Sequence, residues 1–193
     1  VLDTVMMGHT RLFEIMMEKD ALYAKIDLIG QNHIHELLSN GKFIEIFEKI
    51  YEPVIDSIKN IDEYEKYGTL AESLTHYLFT EMLIPSQRKI TFKNIELDMI
   101  IPNTEELQKN SHNTIMIFFV KTSNIEEIKQ RIQDIKKIQK DDANIWVISK
   151  DDIEIPQSTY MTKKESFSIF LKDAQNFIKT KKMNKLNIFK TKA

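Results

Sequence analysis

Two residues in the middle of this chain could handle a phosphate together: Asp98 and Lys121. A carboxylate can hold Mg²⁺, which takes oxygen ligands and keeps several of its waters. A neighbouring lysine can orient or activate an attacking water, or stabilise the charge that builds on a phosphate in the transition state. Such a site needs two or more acids, because Asp98 alone would hold Mg²⁺ weakly. Glu96, on the same strand as Asp98, and Glu126 and Glu127, just after Lys121, are the nearest further carboxylates in sequence. Other chemistries find little support. With glycines only at 8, 30, 41 and 68 the chain cannot build a Gly-rich phosphate loop, and it has no nucleophile elbow, H-E-x-x-H or EF-hand loop. Nor is there a cysteine for a thiolate metal site or a disulfide.

The elements that must position these groups can be read from periodicity. Leu70, Leu74, Tyr77, Leu78 and Met82 mark an amphipathic helix carrying Glu72 and ended by Pro85. Q-R-K-I-T-F and I-E-L-D-M-I-I, joined at Lys93-Asn94, read as an antiparallel hairpin. A loop from Pro102 to Asn113 leads to T-I-M-I-F-F-V-K-T, a strand apolar on both faces and therefore central. Ile125, Ile128, Ile132, Ile135 and Ile138 form a helix stripe, and N-I-W-V-I-S is a second buried strand, so the pair should make a right-handed parallel crossover. A last helix spans about Lys163 to Thr180. Strand alternation puts Glu96, Asp98 and Ile100 on one face and Phe119 and Lys121 on one face of the next strand. If those faces coincide, Asp98 and Lys121 lie side by side.

Residues 1–62 read as a helical extension, 63–180 as an α/β domain and 181–193 as a basic tail. In the extension Leu12, Ile15, Leu22, Ile26, Ile29 and Leu37 form an apolar stripe that Lys19 and His33 interrupt, an imperfect coiled-coil pattern. Ser39-Asn40-Gly41 is a helix stop, and Pro53 should kink the next helix or begin a new one. A stripe with little of its own to pack against suggests a homo-oligomer formed through these helices, or a cap on the following domain. The tail carries six lysines and no acid between Lys179 and Lys192, which reads as a frayed solubilising end or as a nucleic-acid arm.

Composition sets wider limits. At 193 residues, 42% hydrophobic and 29% charged, the chain suits one good core with a smaller helical appendage. A net charge of −2 argues against holding nucleic acid by bulk electrostatics, though not against a local basic surface. No run is long enough to span a membrane, and the first ten residues lack a signal-peptide pattern. The expected compartment is the cytoplasm.

The stretch from Glu72 to Trp146 resembles the PD-(D/E)XK nucleases, whose fold is restriction-endonuclease-like. The resemblance rests on the element order from about Thr69 to Ser149 and on I-E-L-D-M-I-I, K-T at Lys121-Thr122, and L-A-E-S-L around Glu72. It implies an α/β mixed sheet flanked by helices and a Mg²⁺-dependent phosphodiesterase acting on DNA or RNA. Asp98 would be a metal ligand, Lys121 the water-orienting or charge-stabilising group, and Glu72 part of the site. The family's acid two residues before the lysine falls on Phe119. Either Glu96, Glu126 or Glu127 replaces it, or the site is degenerate and the domain binds nucleic acid or protein without cutting, or the strand register is different. In the degenerate case Asp98 and Lys121 would form an internal ion pair.

The remaining polar residues are less specific. Glu72, on an amphipathic helix, would ordinarily face solvent. Arg88, Lys89 and Lys93 around the hairpin could contact phosphates, or guard an edge strand. His76, one turn after Glu72, could approach the site but more simply serves as a surface or capping group. His33 and His35 point apart on their helix, and His112 lies in a polar loop.

Overall fold

The computed structural model describes residues 19–59 and 61–190, with side chains as far as Lys181. The part of the apolar stripe before Lys19, and most of the lysine tail's side chains, lie outside the described residues. The architecture is α/β, a five-stranded mixed sheet flanked by helices. After α1 (residues 19–29) come α2 (Gln31–Ser39), α3 (Phe43–Ile46), a π turn (Phe47–Tyr51) and α4 (Glu52–Ser57). Then follow α5 (Glu63–Glu81), β1 (Gln87–Phe92), β2 (Ile95–Ile101), α6 (Thr104–Lys109) and β3 (Ile115–Phe119). The chain continues through α7 (Ile125–Lys136), β4 (Ile145–Ser149), β5 (Ser158–Met161) and α8 (Lys164–Lys190).

The sheet order is β1-β2-β3-β4-β5, antiparallel across the first three strands and parallel across the last three. One face carries Met99, Ile101, Ile117, Phe119, Trp146 and Ile148 into the main core against α5 and α8. The other carries Ile100, Met116, Phe118 and Val147 against the isoleucine stripe of α7.

Several local features depart from the sequence expectation. Gly30, at φ 85°, breaks the first apolar stripe into α1 and α2, because a left-handed residue cannot continue a right-handed helix. Leu22, Ile26, Ile34, Leu37, Phe43, Phe47 and Ile50 then pack into the same core as α5 and α8, so the described part of the stripe is largely covered within the chain itself. Pro53, by contrast, does begin a new helix as expected: α4 starts at Glu52 with Pro53 in its first turn, directly after the π turn. α5 starts at Glu63, earlier than its apolar pattern, because the Asp62 side chain accepts from Glu65 N–H at 3.0 Å and caps it. The loop after Pro102 contains α6, capped in the same way by Asn103. β5 is only four half-buried residues and left no clear alternation in the sequence. α8 extends as a helix to Lys190, through much of the stretch expected to fray.

Candidate functional site at the open end of β3

Lys121 lies two residues beyond the end of β3, where the chain crosses α5. The crossing is close because Gly68 has no side chain: a Cβ there would fall 2.3 Å from the Val120 carbonyl oxygen and 2.7 Å from Lys121 Cγ. One helical turn further along α5, on the same side, stands Glu72. It is 1% exposed, and both carboxylate oxygens are taken: Oε2 accepts from Lys121 Nζ at 2.6 Å and Oε1 from Arg88 Nε at 2.5 Å. Arg88 also reaches Ser73 Oγ at 3.4 Å. Burial pushes the Glu72 pKa upward, but the charges and hydrogen bonds of Lys121 and Arg88 outweigh it and hold the group below the ordinary carboxylate value. The solvent-facing Glu72 expected from the helix pattern is therefore corrected, for this face of α5 packs on the sheet.

Asp98 occupies a different environment. β2 and β3 pair only from Met99↔Ile117 to Ile101↔Ile115, then diverge. In the gap the Asp98 Oδ2 accepts the Phe119 backbone N–H at 2.9 Å, satisfying a donor the diverging ladder leaves unpaired. Oδ1 faces Arg131 of α7 at 4.0 Å. Burial drives the Asp98 pKa upward, and the nearby positive charge of Lys121, the Phe119 N–H and Arg131 only partly oppose it. The divergence opens a cleft of about 400 Å³ lined by Asp98, Lys121, Thr122, Glu127, Arg131 and Asp134 among others.

Strand alternation slips at this point. Arg88 and Met99 face α5, yet the next alternate pair, Ile90 and Leu97, packs with the α7 side. Between them Lys89 adopts φ 48°, and no pairing joins it to Asp98. Asp98 and Leu97 thus turn to the same side, and Glu96 turns away and is exposed. The parity that placed Glu96 beside Asp98 is broken by this left-handed residue; the two meet only along a groove at the sheet edge, with Lys89 and Arg131.

The other expectations can be placed directly. Asp98 and Lys121 do not form the internal pair, since Lys121 turns to Glu72. Glu126 is exposed and faces Lys129 at 3.5 Å, whereas its neighbour Glu127 lines the Asp98 cleft. Phe119 is 1% exposed, its ring in the main core. Arg88 is held by Glu72 rather than free for a ligand, Lys89 is exposed, and Lys93 lies 5.4 Å from the Phe92 ring centre. His76 has its Nδ1 buried without a partner, and burial followed by the Arg88 charge lowers its pKa.

These placements decide how well the site suits a divalent ion. Among the described residues no three of His, Asp and Glu converge on one point. Glu72 accepts two hydrogen bonds and Asp98 one, which leaves Asp98 Oδ1, facing Arg131 at 4.0 Å, as the one oxygen of that pair without a hydrogen bond. The donor set at rest therefore does not fit a resident Mg²⁺, which needs several oxygens in near-octahedral array.

One residue that the sequence did not single out belongs here, Arg131. Arg131 follows Ile128 by three on α7 and reaches toward Asp98. Lys19 was legible only as the interruption of an apolar stripe. Burial lowers its pKa first, followed by the like charges of Lys89 and Arg88, while Glu72 opposes and Lys121 adds to the shift.

No family model matches the chain, and no solved structure matches it. A segment of 46 residues is 46% identical to the uncharacterized ABC transporter ATP-binding protein YkpA of Bacillus subtilis (strain 168). It covers 24% of this chain and 8% of that protein. Among the described residues no helix is long and apolar enough to cross a membrane.

Proposed function

We propose that this chain is a restriction-endonuclease-like domain of PD-(D/E)XK type that binds nucleic acid without cutting it. The observation that carries the reading is the double commitment of Glu72 to Arg88 and Lys121, with the Phe119 ring in the core where the resemblance calls for an acid. Support for the fold half comes from the order of helix, antiparallel three-stranded meander, crossover helix and parallel fourth strand. Support for the ligand half is the pair of cations, Arg88 and Lys121, that share the single carboxylate of Glu72, since positive charge is what recognises a phosphate backbone.

One observation favours a second reading, a Mg²⁺-dependent nuclease: Asp98, Glu127 and Lys121 open on the same cleft. A single experiment separates them. Labelled single- and double-stranded DNA and RNA are titrated with the full chain, with and without millimolar Mg²⁺ or Mn²⁺, while the melting temperature is followed. Salt-sensitive binding, intact substrate and no metal-dependent rise in melting temperature are expected. Cleavage, together with a metal-dependent rise that vanishes in Asp98→Ala, would overturn the proposal in favour of the enzyme.

A further inference from the structure

We propose that the cavity between α4 and the start of α8 binds a free amino acid as its zwitterion, with the side chain apolar. This cavity shares no residue with the Asp98 cleft and owes nothing to the nucleic-acid reading.

The cavity measures about 420 Å³, within the range of about 300–1,000 Å³ that small-ligand clefts occupy. Phe47, Tyr51 and Ile55, all buried, form its apolar floor with the half-buried Tyr67. The rings of Phe47 and Tyr51 stack at 4.5 Å, and the Tyr51 hydroxyl donates to the Tyr67 carbonyl at 2.7 Å, so the floor is held in place before a ligand arrives. α4 supplies one wall. Its Glu52 and Asp56 are one turn apart, so they share a side of the helix, and both line the cavity. Both are exposed, and among the described residues neither carboxylate has an ion pair or a hydrogen bond.

The start of α8 supplies the other wall, through Lys163, Lys164 and Glu165. The Phe167 N–H donates to the Lys163 carbonyl at 2.8 Å and opens the helical ladder. The N–H groups of Lys164, Glu165 and Ser166 precede it, and no side chain among the described residues caps them; the Ser166 hydroxyl is itself taken by the Met161 N–H at 2.7 Å. Thr162 adds an independent sign. It lines the same cavity, is 4% exposed, and is pinned by its own N–H to the Ser149 carbonyl at 2.8 Å, yet its Oγ1 is buried without a hydrogen-bond partner. A buried hydroxyl with no partner is costly and uncommon in folded proteins, which marks this end of the cavity as one suited to meet an acceptor. A plain cation would leave these donors unmet. A plain anion would face the carboxylates of Glu52, Asp56 and Glu165, with Lys164 already paired to Glu48 at 2.7 Å. A zwitterion answers both walls: its carboxylate takes the α8 N-terminus, Lys163 and the Thr162 hydroxyl, its ammonium takes Glu52 and Asp56, and its side chain covers the aromatic floor.

Titration calorimetry and the melting temperature of the full chain test this with three probes that carry the same ring: L-phenylalanine, phenethylamine, which lacks the carboxylate, and 3-phenylpropionate, which lacks the ammonium. L-phenylalanine should bind and raise the melting temperature, and each half-probe should bind at least about tenfold more weakly. Glu52→Gln combined with Asp56→Asn should weaken L-phenylalanine about tenfold and leave 3-phenylpropionate no weaker. Thr162→Val should weaken L-phenylalanine while the unliganded chain melts no lower than the parent, because an unsatisfied group is removed; a hydroxyl with a purely structural role would give a lower melting temperature and an unchanged affinity. No response of the parent to L-phenylalanine, a half-probe that binds as tightly, or undiminished affinity in the double variant overturns the proposal. Oligonucleotide binding by the same samples is read separately, so either reading can fail while the other stands.

Discussion

The two sides of the sheet at the open end of β3 each hold one withdrawn carboxylate, and they satisfy it in opposite ways. On the α5 side Glu72 is almost completely buried and receives two charged partners at hydrogen-bond distance. On the α7 side Asp98 receives a backbone N–H and a guanidinium only at 4.0 Å. The first arrangement is closed electrostatically, and its pKa is held down; the second is under-compensated, and its pKa is pushed up. Sequence puts an acid on a regular element in both cases, but it gives Asp98 the stronger claim and has Glu72 face solvent. What distinguishes them is the direction in which Lys121 turns after leaving the strand.

The comparison can be broken most severely at Phe119. If the absent acid were the only defect of a metal site, Phe119→Glu would be tolerated and would confer metal binding. Because the ring lies in the core, the expected outcome is loss of stability above about 4 kcal/mol in chemical denaturation, with no metal response. A folded variant whose melting temperature rises with Mg²⁺ would show that the α5 side is not closed.

Next in size is Glu72→Gln, which leaves Arg88 and Lys121 facing a neutral group. Removing one partner of a buried ion pair costs about 3 kcal/mol, discounted here because both cations are partly exposed. The pH dependence carries the sign. A carboxylate with a depressed folded pKa contributes stability above its unfolded value and loses it as pH falls through the folded one. Glu72→Gln should therefore flatten the acid limb of a stability profile; an unchanged limb would mean that the pair contributes little.

Gly68→Ala comes third. In an open helix this change usually stabilises, but here the added carbon meets the Val120 carbonyl, and a loss of about 2 kcal/mol is expected. A gain in melting temperature would show that α5 and β3 can separate freely.

The smallest effect should come from Asp98→Asn, within about 1 kcal/mol near neutral pH, since the amide oxygen can still accept the Phe119 N–H. Its sign is opposite to that at Glu72. A carboxylate whose folded pKa is raised lowers stability as pH rises from the unfolded value through the folded one. The variant should lose that decline, giving equal or greater stability above it. A loss of several kcal/mol would mean that the Asp98 charge is compensated more fully than the geometry indicates.

The element order from α5 to β4 was legible because each element has its own strong period: three and four on α5 and α7, doubly apolar runs in β3 and β4. The site was legible in membership more than in wiring. Glu72, Asp98 and Lys121 do gather at one end of β3, but Lys121 pairs with the acid that had looked solvent-facing. Glu96 was misplaced because alternation assumes an unbroken pleat, and a lysine at positive φ gives no warning in its letter. Lys19 did leave a signal, as a charge where the stripe asks for an apolar residue, but one sequence cannot show what it points toward. The helix at Thr104–Lys109 was hidden by its shortness, its cap at Asn103 being the available sign.

The close approach at Gly68 also bears on motion. Lys121 Cγ rests where a side chain of α5 would otherwise stand, and its ammonium is tethered to Glu72 one turn along the same helix. A lysine in solution samples many rotamers, and ordering one costs up to about 2 kcal/mol of entropy. Here that ordering is completed when α5 docks on β3, before any ligand arrives. The charge at Lys121 is therefore part of a rigid body with the helix, and any anion that met it would not have to immobilise it again.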